Sequence, residues 1–222
     1  MNGNIELVEI LIRYGAQVNS TSNQTHDIVK AAIEANAVEC LKLFLQYISK
    51  PEDRYYSVIM QAIIQLHFDA VPILVEAGMN PNHIINGKTA ISFACFNNAT
   101  SVVKYLSKHV KEVDLPADGV IYDGYAVHWI CQSCDLEICK ILLEKGIDVN
   151  RVNNRGWIGP HYLVDKDPSI VFQIVTMLFA HGLVIDRLLP GQKISILNEF
   201  QSSIKKRKYQ DLINWLIEHG AV

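Results

Sequence analysis

His128, Cys131, Cys134 and Cys139 stand at intervals of three, three and five residues, the one grouping in this chain with the spacing of a metal site. Zinc takes four such nitrogen or sulfur ligands in tetrahedral array, and a Cys-x-x-Cys pair is a common half of one. His128 and His161, with Asp123 or Asp165 as an orienting carboxylate, have the residue types of base catalysis. Catalysis would also need an activated nucleophile, or a base held against its orienter, and the sequence displays no such set. Lys205-Lys-Arg-Lys208 is the only basic run, the composition of a nuclear import signal or a nucleic-acid patch. In a chain of net charge −3 it reads instead as a solvated loop between helices, because a nucleic-acid binder needs a whole basic face.

What these groups can do depends on the elements that carry them, and a repeat sets those elements. Ala62 to Gly78 aligns without a gap on Ile130 to Gly146 and, less completely, on Ala94 to Val110. A fixed period of this size marks a stack of units, each too small to bury its own apolar face. The second half of each unit is clearest in Leu7 to Asn19 and Leu136 to Asn150, where apolar residues at i, i+3, i+4 and i+7 give an amphipathic helix. Gly15, Gly78, Gly146, Gly182 and Gly220 follow as helix stops. The copies ending near Tyr47 and His109 have lost that glycine.

The first half of each unit is shorter, with smaller residues. Gly87-Lys-Thr-Ala-Ile-Ser-Phe-Ala94, Gly124-Tyr-Ala-Val-His-Trp-Ile130 and Gly156-Trp-Ile-Gly-Pro-His-Tyr-Leu163 each run from a turn glycine into a helix start. These segments resemble the ankyrin repeat, whose pattern here is Gly-x-Thr-Pro-Leu-His-x-Ala, and His128 and His161 lie one repeat apart. The resemblance covers the whole chain as an all-α ankyrin-repeat solenoid, helix-turn-helix units joined by hairpin-like fingers. Its approximate repeats are 1–19 (partial), 20–51, 52–82, 83–114, 115–150, 151–186 and 187–222. Lys166-Asp-Pro168 and Ser203 to Tyr209 read as insertions between paired helices. Both ends cut the pattern, as in a segment of a longer array.

In this register Cys131 falls at a small-residue position of a first helix, Cys134 at the turn between helices, and Cys139 on the apolar stripe of a second helix. Three directions that do not converge make core thiols of them, and no metal and no cofactor is expected. The resemblance gives His128 and His161 a structural role, tying the turn to neighbouring backbone, so no catalytic residue is assigned. Phe93, Trp129 and Tyr162 share one position in three repeats, where an internal stacking ladder is expected. His181 and His219 precede helix-stopping glycines, where positive charge suits the helix dipole.

The resemblance further implies that fingers and first helices line a groove for a partner. Carried over residue by residue, the finger positions are Asn86 and Lys88, then Tyr122, Asp123 and Tyr125, then Asn154, Arg155 and Trp157. The first-helix positions are Phe96 and Asn97, Gln132 and Ser133, Asp165 and Lys166. Tyr125, Arg155 and Trp157 are the expected anchors, since aromatic residues and arginine dominate interface energetics.

Half the residues are apolar and the net charge is only −3, which excludes a disordered chain. The start has no basic stretch followed by an apolar run, and Val171 to Ile185 is interrupted by Gln173, Thr176 and His181 and is shorter than the about 20 residues of a membrane span. Five cysteines among apolar neighbours fit reduced thiols. The expectation is a monomeric, non-catalytic scaffold in the cytoplasm, with nuclear entry left open by the basic run. It binds a partner protein, no nucleic acid and no membrane. The alternatives are the recognition arm of a larger protein, such as a ubiquitin-ligase adaptor or an enzyme, and a cysteine-based metal or redox module.

Overall fold

The computed structural model describes residues 5–16, 18, 24–48, 57–85, 88–114, 124–186, 188–203 and 206–221. All regular elements among them are helical. The chain divides into two compact units, Met1–Ile85 and Asn86–Val222.

The first unit contains α1 (Ile5–Arg13), α2 (Gln24–Glu34), α3 (Val38–Gln46), α4 (Val58–Ile64) and α5 (Ala70–Glu76). Antiparallel pairs α2–α3 and α4–α5 stack so that first helix meets first helix, α2 on α4, while α1, α3 and α5 form the second row. The core is the apolar stripe of each helix: Val29 and Ile33, Leu41 and Leu45, Ile59 and Ile63, Val71 and Leu74 are all buried. α1 buries none of its own residues, and Leu7, Ile10 and Leu11 are each about half exposed.

The second unit contains α6 (Ala90–Phe96), α7 (Thr100–His109), α8 (Ala126–Ser133), α9 (Leu136–Leu143), α10 (Pro168–Ala180), α11 (Ile196–Ser202) and α12 (Gln210–Glu218). Two 3-10 turns, Gly159–Leu163 and Lys206–Tyr209, precede α10 and α12. α6, α8, the first 3-10 turn and α11 pack in one row, and α7, α9 and α10 in the other. The second row extends to α12 through Phe172 and Phe179 against Trp215.

Helix ends are set by local chemistry. Thr89 and Ser92 exchange a capping box at the start of α6. Asp135 accepts from the backbone of Glu137 and Ile138 at 2.8 and 3.0 Å, and Thr100 donates to its other oxygen, joining the starts of α7 and α9. Asp167 and Ser195 cap α10 and α11 in the same way. At the end of α10, Gly182 adopts φ +90°, so its N–H reaches the Phe179 carbonyl and Leu183 reaches that of Leu178, two bonds that only a left-handed residue allows.

One expectation needs correction. Gly156 to Leu163 does not enter a full helix, only the 3-10 turn Gly159–Leu163. Gly159 lies so close to α8 that a Cβ would stand 2.7 Å from both the Val127 side chain and its carbonyl oxygen. Pro160 has no N–H to give to a ladder, and Val164 is extended, so the segment is a close-packed turn in place of a first helix. The supposed insertion at Lys166 to Pro168 is the left-handed Asp165 turn followed directly by the Asp167 cap. That at Ser203 to Tyr209 includes the second 3-10 turn.

Candidate functional site

The expected anchors stand on segments immobilised by two buried histidines. The His128 ring accepts from the Tyr125 N–H at Nδ1 (3.0 Å), which leaves its proton on Nε2 to donate to the Trp157 carbonyl (3.0 Å). His161 repeats the device: Nδ1 takes the Ile158 N–H (3.2 Å) and Nε2 donates to the Ile194 carbonyl (2.9 Å). Each histidine therefore fixes the start of its own repeat and the finger of the next. Both rings are buried, with both nitrogens spent on backbone, and neither faces a nucleophile. This is the structural role that the repeat register gave them.

Asn153 holds the finger that bears Arg155 and Trp157. Its side-chain oxygen accepts from the N–H groups of both residues at 3.0 Å, its own N–H donates to the Trp157 carbonyl, and its amide nitrogen donates to the Tyr162 hydroxyl. Asn153 is buried, and the sequence reading passed it over for its exposed neighbour Asn154. The signal was present: an asparagine three residues before Gly156 is the side-chain-to-backbone turn that asparagine forms readily.

Trp157 is half-buried and lies parallel to His161 at 6.0 Å, edge-on to Tyr162 at 5.5 Å, with the Arg155 guanidinium 5.6 Å from its ring centre. Tyr162 also meets His128 edge-on. Tyr125, half-buried, carries the Arg151 guanidinium at 4.9 Å over its ring. Arg151, a second residue the sequence reading did not single out, forms ion pairs with Asp114 and Asp148. Asp114 in turn accepts from the N–H groups of Ala126 and Asp148, 34 residues apart at most from itself, and burial raises its carboxyl above the ordinary range. Tyr125, Arg155 and Trp157 thus belong to one connected cluster.

The remaining candidates are dispersed. Lys88 stands 5.3 Å over the Phe93 ring, and partial burial lowers its pKa. Phe96 is exposed, while Asn97 turns its amide back to the Phe93 carbonyl at 2.9 Å. Gln132 is half-buried, and Ser133 is buried with its hydroxyl on the Ile130 carbonyl, which removes it from any surface. Asp165 is exposed at a left-handed turn, and Lys166 is exposed beside it. Asn86, Tyr122 and Asp123 lie outside the described residues.

The ladder of Phe93, Trp129 and Tyr162 is not a stack. Trp129 is buried, and among the described residues it enters none of the ring pairs and its buried indole N–H meets no acceptor. Tyr162 meets Trp157 of its own repeat and His128 of the preceding one.

Cys131 and Cys139 are fully buried on α8 and α9, and Cys134 sits between them at φ +54°. Burial is the main influence on each thiol: it pushes Cys131 and Cys134 up and Cys139 up to about 12. Among the described residues no group of three or more His, Cys, Asp or Glu side chains is arranged to hold an ion. None of the described helices is long and apolar enough to cross a membrane.

Comparison with known proteins supplies the family. A model of ankyrin repeats in three copies matches residues 1–85 and 59–153. An ankyrin repeat protein of Fowlpox virus (strain NVSL) is 30% identical over 148 residues, which are 66% of this chain and 27% of that protein; the chain spans only about a quarter of that relative. Among solved structures, an ankyrin repeat domain from Acinetobacter baumannii AYE superposes with a TM-score of 0.71 at 21% identity, over 87% of this chain and 98% of that one. The ankyrin repeat domain of Bcl-3, a member of the IkappaB family, gives 0.66 at 20% identity over 88% and 86%. These two likenesses carry the fold, and the matched repeats carry membership. With its paired helices, left-handed stops and repeat-linking histidines, the chain belongs to the ankyrin repeat family.

Proposed function

We propose that this protein holds a partner protein through the fingers and first helices of its second unit and performs no chemistry of its own. Ankyrin repeats are protein-interaction modules. The observation that carries the assignment is the cluster of Tyr125, Arg155 and Trp157. These side chains are at least partly accessible, yet the backbone beneath them is tied down by His128, His161 and Asn153. A surface already ordered loses little entropy on binding. Trp, Tyr and Arg are also the residues that most often dominate binding energy. The five thiols fit a reduced, intracellular compartment.

The test is an affinity capture identified by mass spectrometry, followed by affinity measurements on variants. Arg155→Ala and Trp157→Ala should each weaken the recovered complex by about 2 kcal/mol or more. Arg155→Ala should leave melting nearly unchanged, whereas Trp157→Ala, which also loses its stacking on His161, should cost some stability. Lys104→Ala and Lys140→Ala, on exposed positions of α7 and α9, should change binding little. If those two lose the partner while Arg155→Ala keeps it, the second-helix row is the working face and the proposal fails.

A further inference from the structure

The basic run finds a use on the opposite row of helices. α10 and α12 touch through Phe172 and Phe179 against Trp215, at 5.9 and 5.2 Å. Beside that contact, at the N-terminal ends of α10 and α12, lies a cleft of about 480 Å³. Its walls are Pro168, Phe172, Tyr209 and Leu212, and its rim carries Ser169, Gln173, Lys208 and Asp211. That volume falls within the about 300–1,000 Å³ of ligand pockets, room for large apolar side chains.

The floor is rigid. Tyr209 is buried, packs edge-on against Phe200 at 5.0 Å and donates its hydroxyl to the Lys166 carbonyl at 2.9 Å. The 3-10 turn that ends in Tyr209 therefore presents Lys208 at the mouth, with Arg207 exposed next to it in the chain. Of the nearby acids, the Asp167 carboxylate is occupied capping α10, and only Asp211 lines the cleft. Lys208, the last residue of the densest basic run in an otherwise acidic chain, thus borders an apolar cleft that continues into the half-exposed Phe172, Trp215 and Phe179.

We infer that the cleft between α10 and α12 is a second docking site, for an acidic peptide segment whose apolar side chain enters between Phe172 and Leu212 while its carboxylates meet Lys208 and Arg207. It lies on other elements than the finger cluster and does not depend on that assignment. Charge at the rim selects the sign of the peptide, and the apolar walls supply affinity.

A displayed library of random twelve-residue peptides, selected on the whole chain and counter-selected on Ser169→Trp, tests this. Ser169 is exposed at the rim, so an indole there blocks the cleft without entering the core. The expected survivors carry net negative charge around a Leu, Ile, Phe or Trp. A synthetic copy should bind at least tenfold more weakly to Lys208→Glu and to Ser169→Trp, and more weakly as salt rises. Binding to Arg155→Ala should match the native chain. Circular dichroism establishes that the variants are folded, and Lys208→Glu decides alone if Ser169→Trp is not. Enrichment of basic or uncharged peptides, or of none, overturns the inference, as does binding that neither variant reduces or that Arg155→Ala reduces equally. Lys208-dependent binding of a single-stranded twelve-nucleotide DNA in place of any peptide would make the basic turn a nucleic-acid contact and would overturn it too.

Discussion

A buried histidine with both ring nitrogens committed to backbone, Nδ1 at the start of its own repeat and Nε2 at a carbonyl of the next finger, has no nitrogen left for chemistry, and that assigns both His128 and His161 to structure. Removing one takes the side-chain acceptor from the Tyr125 or Ile158 N–H, at about 1–3 kcal/mol for an unsatisfied group, and leaves a cavity where the buried ring stood, while the carbonyl it reached keeps a second donor, the Asn153 N–H on Trp157 or the Gln192 amide on Ile194. His128→Ala should therefore lower stability by about 3 kcal/mol in denaturant melts, and a loss below about 1 kcal/mol would show that the bonds are replaced by water. The cysteines give a second prediction at this scale. Cys40, Cys95, Cys131 and Cys139 are buried, Cys134 is partly exposed, and its pKa is raised chiefly by burial. A raised thiol pKa means less thiolate at neutral pH, so at pH 7.5 the native chain should alkylate at Cys134 alone and slowly, faster as pH rises towards its pKa. In denaturant all five should react. Rapid labelling of Cys131 or Cys139 in native conditions would mean that α8 and α9 open readily. These histidines were legible because their spacing repeats, whereas Asn153 and Arg151 were not, because their work is a geometry of hydrogen bonds and ring contacts that occurs in one finger.

The turns between paired helices form a series in which one residue must be left-handed: Asn36, Leu66, Asn98, Cys134 and Asp165 have φ between +50° and +75°. Asparagine and aspartate accept that conformation readily, while a branched aliphatic side chain pays about 1–2 kcal/mol for it. Leu66 gains little burial in return, being 60% exposed. Leu66→Asn should therefore stabilise the chain by about 0.5–1 kcal/mol, raising the midpoint of thermal unfolding; an unchanged or lower midpoint would show that the Leu66 side chain makes contacts worth the strain. The second helices were legible from their apolar period and stop glycines. The first helices were less so, being only seven or eight residues long in α4, α6 and α8. At Gly159 the pattern continued although the helix did not, because what fails there is the space beside Val127, a contact with the preceding repeat that no local pattern encodes.

Across the second unit the links run from one repeat to the next. Thr100 donates to Asp135, His128 to the Trp157 carbonyl and Asn150 to the Gly182 carbonyl, Val184 donates back to Asn150, and Lys193 donates to the Gly156 carbonyl. Each bond spans about one period. In such a stack, stability is a sum of repeat terms and nearest-neighbour terms, so energetic coupling should fade with the number of repeats between two sites. Leu106 on α7 and Leu216 on α12 are both buried, and α9 and α10 stand between them in the row. Leu106→Ala and Leu216→Ala should each cost about 2–5 kcal/mol, and the double variant should equal their sum within about 0.5 kcal/mol. Thr100→Val and Asp135→Asn, which meet across one repeat interface, should instead fall short of additivity, because the first substitution already removes the bond that the second would weaken. The measurement is a pair of double-mutant cycles read by denaturant unfolding. A large coupling between the two leucines, equal to that of the Thr100–Asp135 pair, would show that the unit melts as a single block and that neighbour terms do not govern it.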